Sequence, residues 1–168
     1  MLCFSSQPWW CSSSNPSHES ATETPPHAHG YLAGEGDQLT DGTSLFNPSG
    51  MGASGALISD LDDLKTWAIS LVNGDLLKKE TQAQRITLVP GDYEYFGIKV
   101  KYGLGILSSE GYLGHPGDGL GYTNAAFHSP ATGTTVVVFL NKSPNEDTFM
   151  ALTLFTQLAK IMNAADSK

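Results

Sequence analysis

The sequence predicts an α+β fold, an antiparallel sheet packed with helices. Three observations predict it. Apolar residues recur at helical spacing from Ser59 to Gly74, and again beyond Ser143. Between those stretches the hydrophobic period changes to two over several short runs separated only by turn signals. Strands joined by turns pair antiparallel, and the closing helix is left to cover one face of the sheet.

The elements follow in order. Residues 1–26 are rich in Ser, Pro and Thr and read as a flexible leader, because such a composition buries too little apolar surface to offset the entropy of ordering. Trp9 and Trp10 stand out within it. Residues 27–168 read as the C-terminal portion of one domain. From His27 to Gly55 the chain is Gly-rich and loop-like, with turn signals at "GEGD", "TDG" and "NPSG"; a loop this long in a compact domain commonly lines a site.

"SDLDDLKTWAISLVNGD" is the clearest helix. Ser59 reads as its cap with Asp62 at the capping-box position, and the aspartates of the first turn favour the positive end of the dipole. Leu61, Leu64, Ala68 and Leu71 form its apolar face, Trp67 widens it, and Asn73–Gly74 end it. A shorter helix is expected over Leu76 to Ile86. Phe96, Ile98 and Val100 then alternate with Gly97, Lys99 and Lys101 as a strand, and "YGLGIL", "YLGH", "YTNAAFH" and "TTVVVFLN" read as further strands. "SPATG" is the turn between the last two. Ser143, Pro144 and Glu146 read as cap, first position and capping box of a final helix whose buried face is Phe149, Leu152, Phe155, Leu158 and Met162.

The chain's 168 residues suffice for one domain with a core. The net charge of -8 argues against nucleic acid or an anionic membrane as main partner. No apolar run approaches the ~20 residues of a membrane-spanning helix, and residues 1–20 do not read as a signal peptide. Cys3 and Cys11 are too few to define a disulfide framework, so the compartment stays open.

Several motifs are weak. "GMGASG" spells a dinucleotide fingerprint, but Pro48 occupies the strand that should feed it. "GASGA" nearly spells a nucleophile elbow around Ser54, with its second glycine one place early. His27 and His29 form H-x-H with no third ligand at a fitting spacing. "GHPGDGLGY", from Gly114 to Tyr122, is stronger: a strand ending at His115 beside glycines lets a ligand lie close to the backbone. The bland alternative is a Gly-rich hairpin with an exposed histidine.

In sequence order, "HAHGYL", "GASGALISDLDDLKTWAISLVNGDLL", "YGLGI", "GHPGDGLGY" and "AAFHSPATGTTVVVFLNKS", with the closing helix, resemble the serine β-lactamases of the class C type. D-alanyl-D-alanine carboxypeptidases and related esterases belong to the same superfamily. The resemblance runs from about His27 to the end. It implies a partial β-lactamase/DD-peptidase-like fold and acyl transfer on an ester, a β-lactam or a peptidoglycan-like peptide. It implies no cofactor and no metal, and members that are often extracytoplasmic. The family's third motif, Lys or His, then Thr or Ser, then Gly, maps onto His115, Pro116 and Gly117. His115 would set the field and proton inventory near the nucleophile, and the backbone N–H of Asp118 would be an oxyanion donor.

Two departures follow. Pro116 lacks the hydroxyl with which relatives hold a substrate carboxylate, which shifts weight towards an esterase-like parent. The nucleophile motif S-x-x-K is absent, since none of the lysines has a serine three residues before it. The second motif, Y-x-N, belongs upstream, so "YTN" (Tyr122 to Asn124) reads as a coincidence of spelling. The expectation is therefore a chain that carries the third motif, is inactive alone, and has the missing N-terminal half as its natural partner. The alternatives are a non-catalytic binding module on the same half-fold, or a hydrolase using another serine with His115 or His128 as base.

Overall fold

The computed structural model describes residues 27–34, 36, 38–45, 48–55, 59–89, 93–95, 97–119, 121–143 and 149–166. The sequence readings on residues 1–26, on Phe96 and on Pro144 and Glu146 fall outside them. Among the described residues no helix is long and apolar enough to cross a membrane.

A short hairpin, β1 (Tyr31–Ala33) and β2 (Leu39–Asp41), comes first, followed by a 3-10 segment at Pro48–Ser54. Both lie in the stretch read as loop; three-residue strands are too short to show a period. The helices α1 (Leu61–Asn73) and α2 (Lys79–Arg85) follow. Then six strands run as one antiparallel meander: β3 (Tyr93–Tyr95), β4 (Ile98–Tyr102), β5 (Leu107–Ser109), β6 (Tyr112–Gly119), β7 (Tyr122–His128) and β8 (Thr135–Leu140). The helix α3 (Met150–Asp166) closes the chain. This is the α+β arrangement the sequence predicts.

Directly paired residues share a face of a sheet, so the register sorts the two faces. Tyr112, Ala125, Phe127, Val136 and Val138 look towards α3 and pack with its Leu152, Phe155 and Ala159 and with Phe149 just before it. Ala126 and Val137, on the opposite face, pack with Leu64 and Ala68 of α1, while Leu113 meets Leu71, Val72 and Ile106. Each helix therefore covers one face, and β6 and β7 are sandwiched between them.

The α1 cap differs by one residue from the expected one. Asp60, not Ser59, holds the extended cap conformation, and its carboxylate accepts the Asp63 N–H at 2.8 Å. The far end is as read: Gly74 takes the left-handed conformation, φ 79°, that ends a helix. Leu61 and Leu158, both expected on buried faces, are exposed. On α3, Ala159 takes the place given to Leu158. Leu154, Leu158 and Ile161 instead form a second apolar stripe, which faces water. The outer edge of β8 likewise has no strand paired to it among the described residues.

One buried polar residue ties α2 to α1. Gln82 donates its side-chain amide to the Leu71 and Val72 carbonyls, at 3.0 and 2.9 Å, in the last turn of α1. Those carbonyls have no partner within their own helix. Gln82→Ala is expected to lower stability by about 1–3 kcal/mol in urea unfolding, because it strands buried acceptors. The exposed Gln84→Ala is expected to change it by less than about 0.5 kcal/mol. Equal effects would show that the tie carries no stability.

Candidate active site

The segment read as a glycine turn is a strand. β6 runs through "YLGHPGDG", and the chain reverses only between Gly119 and Tyr122, so His115 sits mid-strand. The glycines misled because they signal turns in general; here paired β7 holds the segment extended.

The two sides of β6 differ. Towards β7 it is paired from Leu113 to Gly119. Towards β5 pairing ends at Leu107 opposite Gly114. From His115 to Gly119 no described strand pairs on that side, so an interior strand becomes an edge where the candidate residues lie. Pro116 is tolerated within a paired strand only where its missing N–H would face away from the ladder. Backbone groups alternate sides along a strand, so the N–H of Asp118, two residues on, also faces the open side. The Asp118 side chain shares its sheet face with Tyr112 and Pro116, opposite the face of His115. Burial pushes its carboxyl above the ordinary value, opposed by the Gly119 N–H, although the residue as a whole is exposed.

Both ring nitrogens of His115 are engaged. Nδ1 lies 2.6 Å from the Pro116 carbonyl oxygen, and Nε2 lies 2.6 Å from the Tyr102 hydroxyl. A carbonyl only accepts, so Nδ1 carries the proton. In the neutral ring Nε2 is then the acceptor, and Tyr102 donates to it. The two rings meet edge to face, centroids 5.6 Å apart. Tyr102 ends β4, where "YGLGI" is a turn rather than the expected strand: Gly103 N–H donates to Ile106 O at 2.8 Å, and Gly105 has φ 65°. The turn is anchored from outside. Leu104 N–H donates to Arg85 O at the end of α2, Val89 N–H donates to Tyr102 O, and a Cβ on Gly103 would lie 2.3 Å from Arg85 O. The motif thus aims Tyr102 at His115 over the end of β5.

Gly117 and Asn124 are directly paired across β6 and β7 on the His115 face. A Cβ on Gly117 would meet the Asn124 amide nitrogen at 2.6 Å, so the glycine makes room for that side chain. Asn124 therefore lies against the strand that carries the candidate residues. Sequence reading missed both Tyr102 and Asn124; the signal for Asn124 was its place opposite the third motif, and it needed the register.

The far end of the wall is latched. The Ser143 hydroxyl accepts the Gly121 N–H at 2.6 Å and donates to Gly119 O at 3.0 Å. Its own N–H donates to Tyr31 O at 2.8 Å. Gly30 and Gly121 cross so closely that a Cβ on Gly121 would lie 2.6 Å from the Gly30 carbonyl carbon. His29 pairs with Asp41 at 2.7 Å. The hydroxyl and N–H of Thr43, with His29, lower the Asp41 pKa to about 2.

The other candidates are occupied elsewhere. The Ser54 hydroxyl donates to Met51 O at 2.6 Å within its own turn. His128 is buried, 2.9 Å from the Thr135 hydroxyl on β8. His27 and His29 stack on each other, and the described residues contain no cluster of three or more metal-ligating side chains.

The family model described as Beta-lactamase matches residues 10–159 and so begins within the stretch read as leader. No curated protein matches the chain. Among solved structures, a D-stereospecific amidohydrolase from Streptomyces sp. is similar at 28% identity, over 74% of this chain and 37% of that one, with a TM-score of 0.61. A D-amino acid amidase from Ochrobactrum anthropi SV3, complexed with L-phenylalanine amide, is similar at 21% identity over 86% and 44%, with a TM-score of 0.68. A penicillin binding protein from Bacillus halodurans is similar at 18% identity over 84% and 42%, with a TM-score of 0.50. The chain thus spans less than half the length of these structures. With the family model covering most of its length, the chain belongs to the β-lactamase family.

Proposed function

We propose that β6 is the substrate-facing wall of an acyl-transfer site in a β-lactamase-related serine hydrolase. The observation that carries this is the side of β6 from His115 to Gly119 to which no described strand pairs, and towards which the Asp118 N–H is directed. An acyl carbonyl laid along that side meets the N–H as an oxyanion donor. Gly117 leaves the strand surface low, so the acyl group approaches the backbone, and His115 governs the local proton inventory. The name of the D-stereospecific amidohydrolase, the most similar in sequence of these structures, supports an amide as the bond attacked. Because the sequence holds no S-x-x-K, the wall is one side of the site. The nucleophile comes from a missing N-terminal half, and the chain alone does not turn over.

Two measurements test the reading. Intact mass after incubation with a serine-reactive fluorophosphonate is expected to show no adduct. A single stoichiometric adduct, lost in His115→Ala, would instead mean a complete enzyme with another nucleophile. Titration of the 15N-labelled chain with D-phenylalanine amide is expected to shift the Asp118 amide resonance saturably. Shifts confined to residues away from β6 would remove the wall from the substrate site.

A further inference from the structure

We propose that the tip of the β4–β5 hairpin is a subsite for an apolar side chain of the substrate, and that Leu104 there sets a preference for large apolar acyl groups over small ones. The inference rests on β6 being the substrate wall.

The register places the tip. Tyr102 of β4, Leu107 of β5 and Gly114 of β6 stand in one row. β4 and β6 both run antiparallel to β5, so the chain beyond Tyr102 advances alongside the chain beyond Gly114. The hairpin turns at Leu104 and Gly105, with the Gly103 N–H donating to Ile106 O at 2.8 Å. Leu104 is therefore level with Pro116, about 10 Å across from β6 at the usual strand spacing. β6 continues to Gly119 with no described strand on this side. The tip thus closes the near end of the open side. The Asp118 N–H lies two residues further along, about 7 Å at the usual rise of a strand. An acyl group whose carbonyl meets that N–H, and which extends back towards the tip, brings its side chain to Leu104.

Leu104 has aliphatic company. It keeps 67% of its surface exposed, Val89 47% and Ile86 38%. Single exposed aliphatic residues are ordinary, but three from separate segments at one corner form a patch. Backbone hydrogen bonds gather them. The Leu104 N–H donates at 3.0 Å to Arg85 O, the carbonyl bonded to the nitrogen of Ile86, and the Val89 N–H donates to Tyr102 O at 2.8 Å. The corner is therefore formed before a ligand arrives. Covering it with an apolar side chain removes aliphatic surface from water without first ordering a loop.

The test uses the full 168-residue chain, 15N-labelled and titrated with D-phenylalanine amide and with D-alanine amide. Both are expected to shift the Asp118 amide. The phenylalanine compound alone is expected to shift the Leu104 and Val89 amides, and it binds the more tightly. In Leu104→Ser this preference is expected to fall about fivefold, the share of one aliphatic contact. Leu104→Met, which restores apolar surface, is expected to keep it. Ile161→Ser, which removes an aliphatic side chain of the same 67% exposure from α3, is expected to leave it unchanged. A preference unchanged in Leu104→Ser, with Asp118 still responding, would overturn the subsite and leave the wall standing. That is also the result if the corner seats the missing N-terminal half instead of a substrate. Shifts at Leu104 and Val89 without one at Asp118 would fault the wall and leave the corner standing as an apolar binding site. No shift at either place would overturn both.

Discussion

Gly114→Ala is expected to leave no cooperatively folded chain at 25 °C. A Cβ at this position would lie 2.0 Å from Ala126 O, 2.7 Å from Phe127 Cα and 2.9 Å from Ala126 C. All three are backbone atoms of β7, so no side chain can swing aside. The strands must separate, in the middle of the sheet and next to His115. Overpacking costs about 1–3 kcal/mol where side chains can adjust, and a rigid backbone clash exceeds that. Against a total stability of about 5–15 kcal/mol for a typical domain, the folded state is lost or strongly depleted. Gly119→Ala provides the contrast on the same strand, since nothing lies within 4 Å of its added Cβ. Circular dichroism melts of the two variants are expected to diverge, Gly119→Ala following the unaltered chain. A normal melt for Gly114→Ala would mean that β6 and β7 are not held in the register described.

Phe155→Ala is expected to cost about 3–5 kcal/mol, the range for emptying a buried aromatic site. Phe155 has no exposed surface. It stacks on Phe127 at 3.9 Å between centroids and meets Tyr112 edge to face at 5.6 Å. One ring thus joins α3 to β6 and β7 at once, and its neighbours are fixed to strands that cannot collapse into the void. Leu158→Ala, three residues along the same helix but on its wet side, is expected to change stability by less than about 0.5 kcal/mol. Urea midpoints would separate the two. Similar losses would mean that α3 lies on the sheet by a different face.

Legibility tracked the range of the forces involved. The end of α1 at Gly74 could be read because a left-handed residue is a local requirement. The strand β8 could be read from its own residues, and the element order left the closing helix to cover one face of the sheet. The site was harder. Tyr102 and His115 meet only because β5 is short and the "YGLGI" turn is pinned by Arg85 O; no spacing rule encodes that. Asn124 joined the neighbourhood of the candidate residues only once the register set it opposite Gly117. The glycines of "GHPGDG" spoke for a turn on local grounds and were overruled by pairing with β7. His115, Gly117 and Asp118 were named from a family resemblance, not from a spacing rule.

The stripe Leu154–Leu158–Ile161, exposed among the described residues, and the outer edge of β8, to which no described strand pairs, have a consequence for how this molecule is measured. Apolar surface and unpaired backbone groups left in water are a standing incentive to associate. Whatever covers them lowers the free energy of the folded form alone. Concentration is then a thermodynamic variable for this chain. A melting temperature taken at one dilution describes the solution as much as the fold, and a dilution series is the scale on which any of its stabilities should be compared.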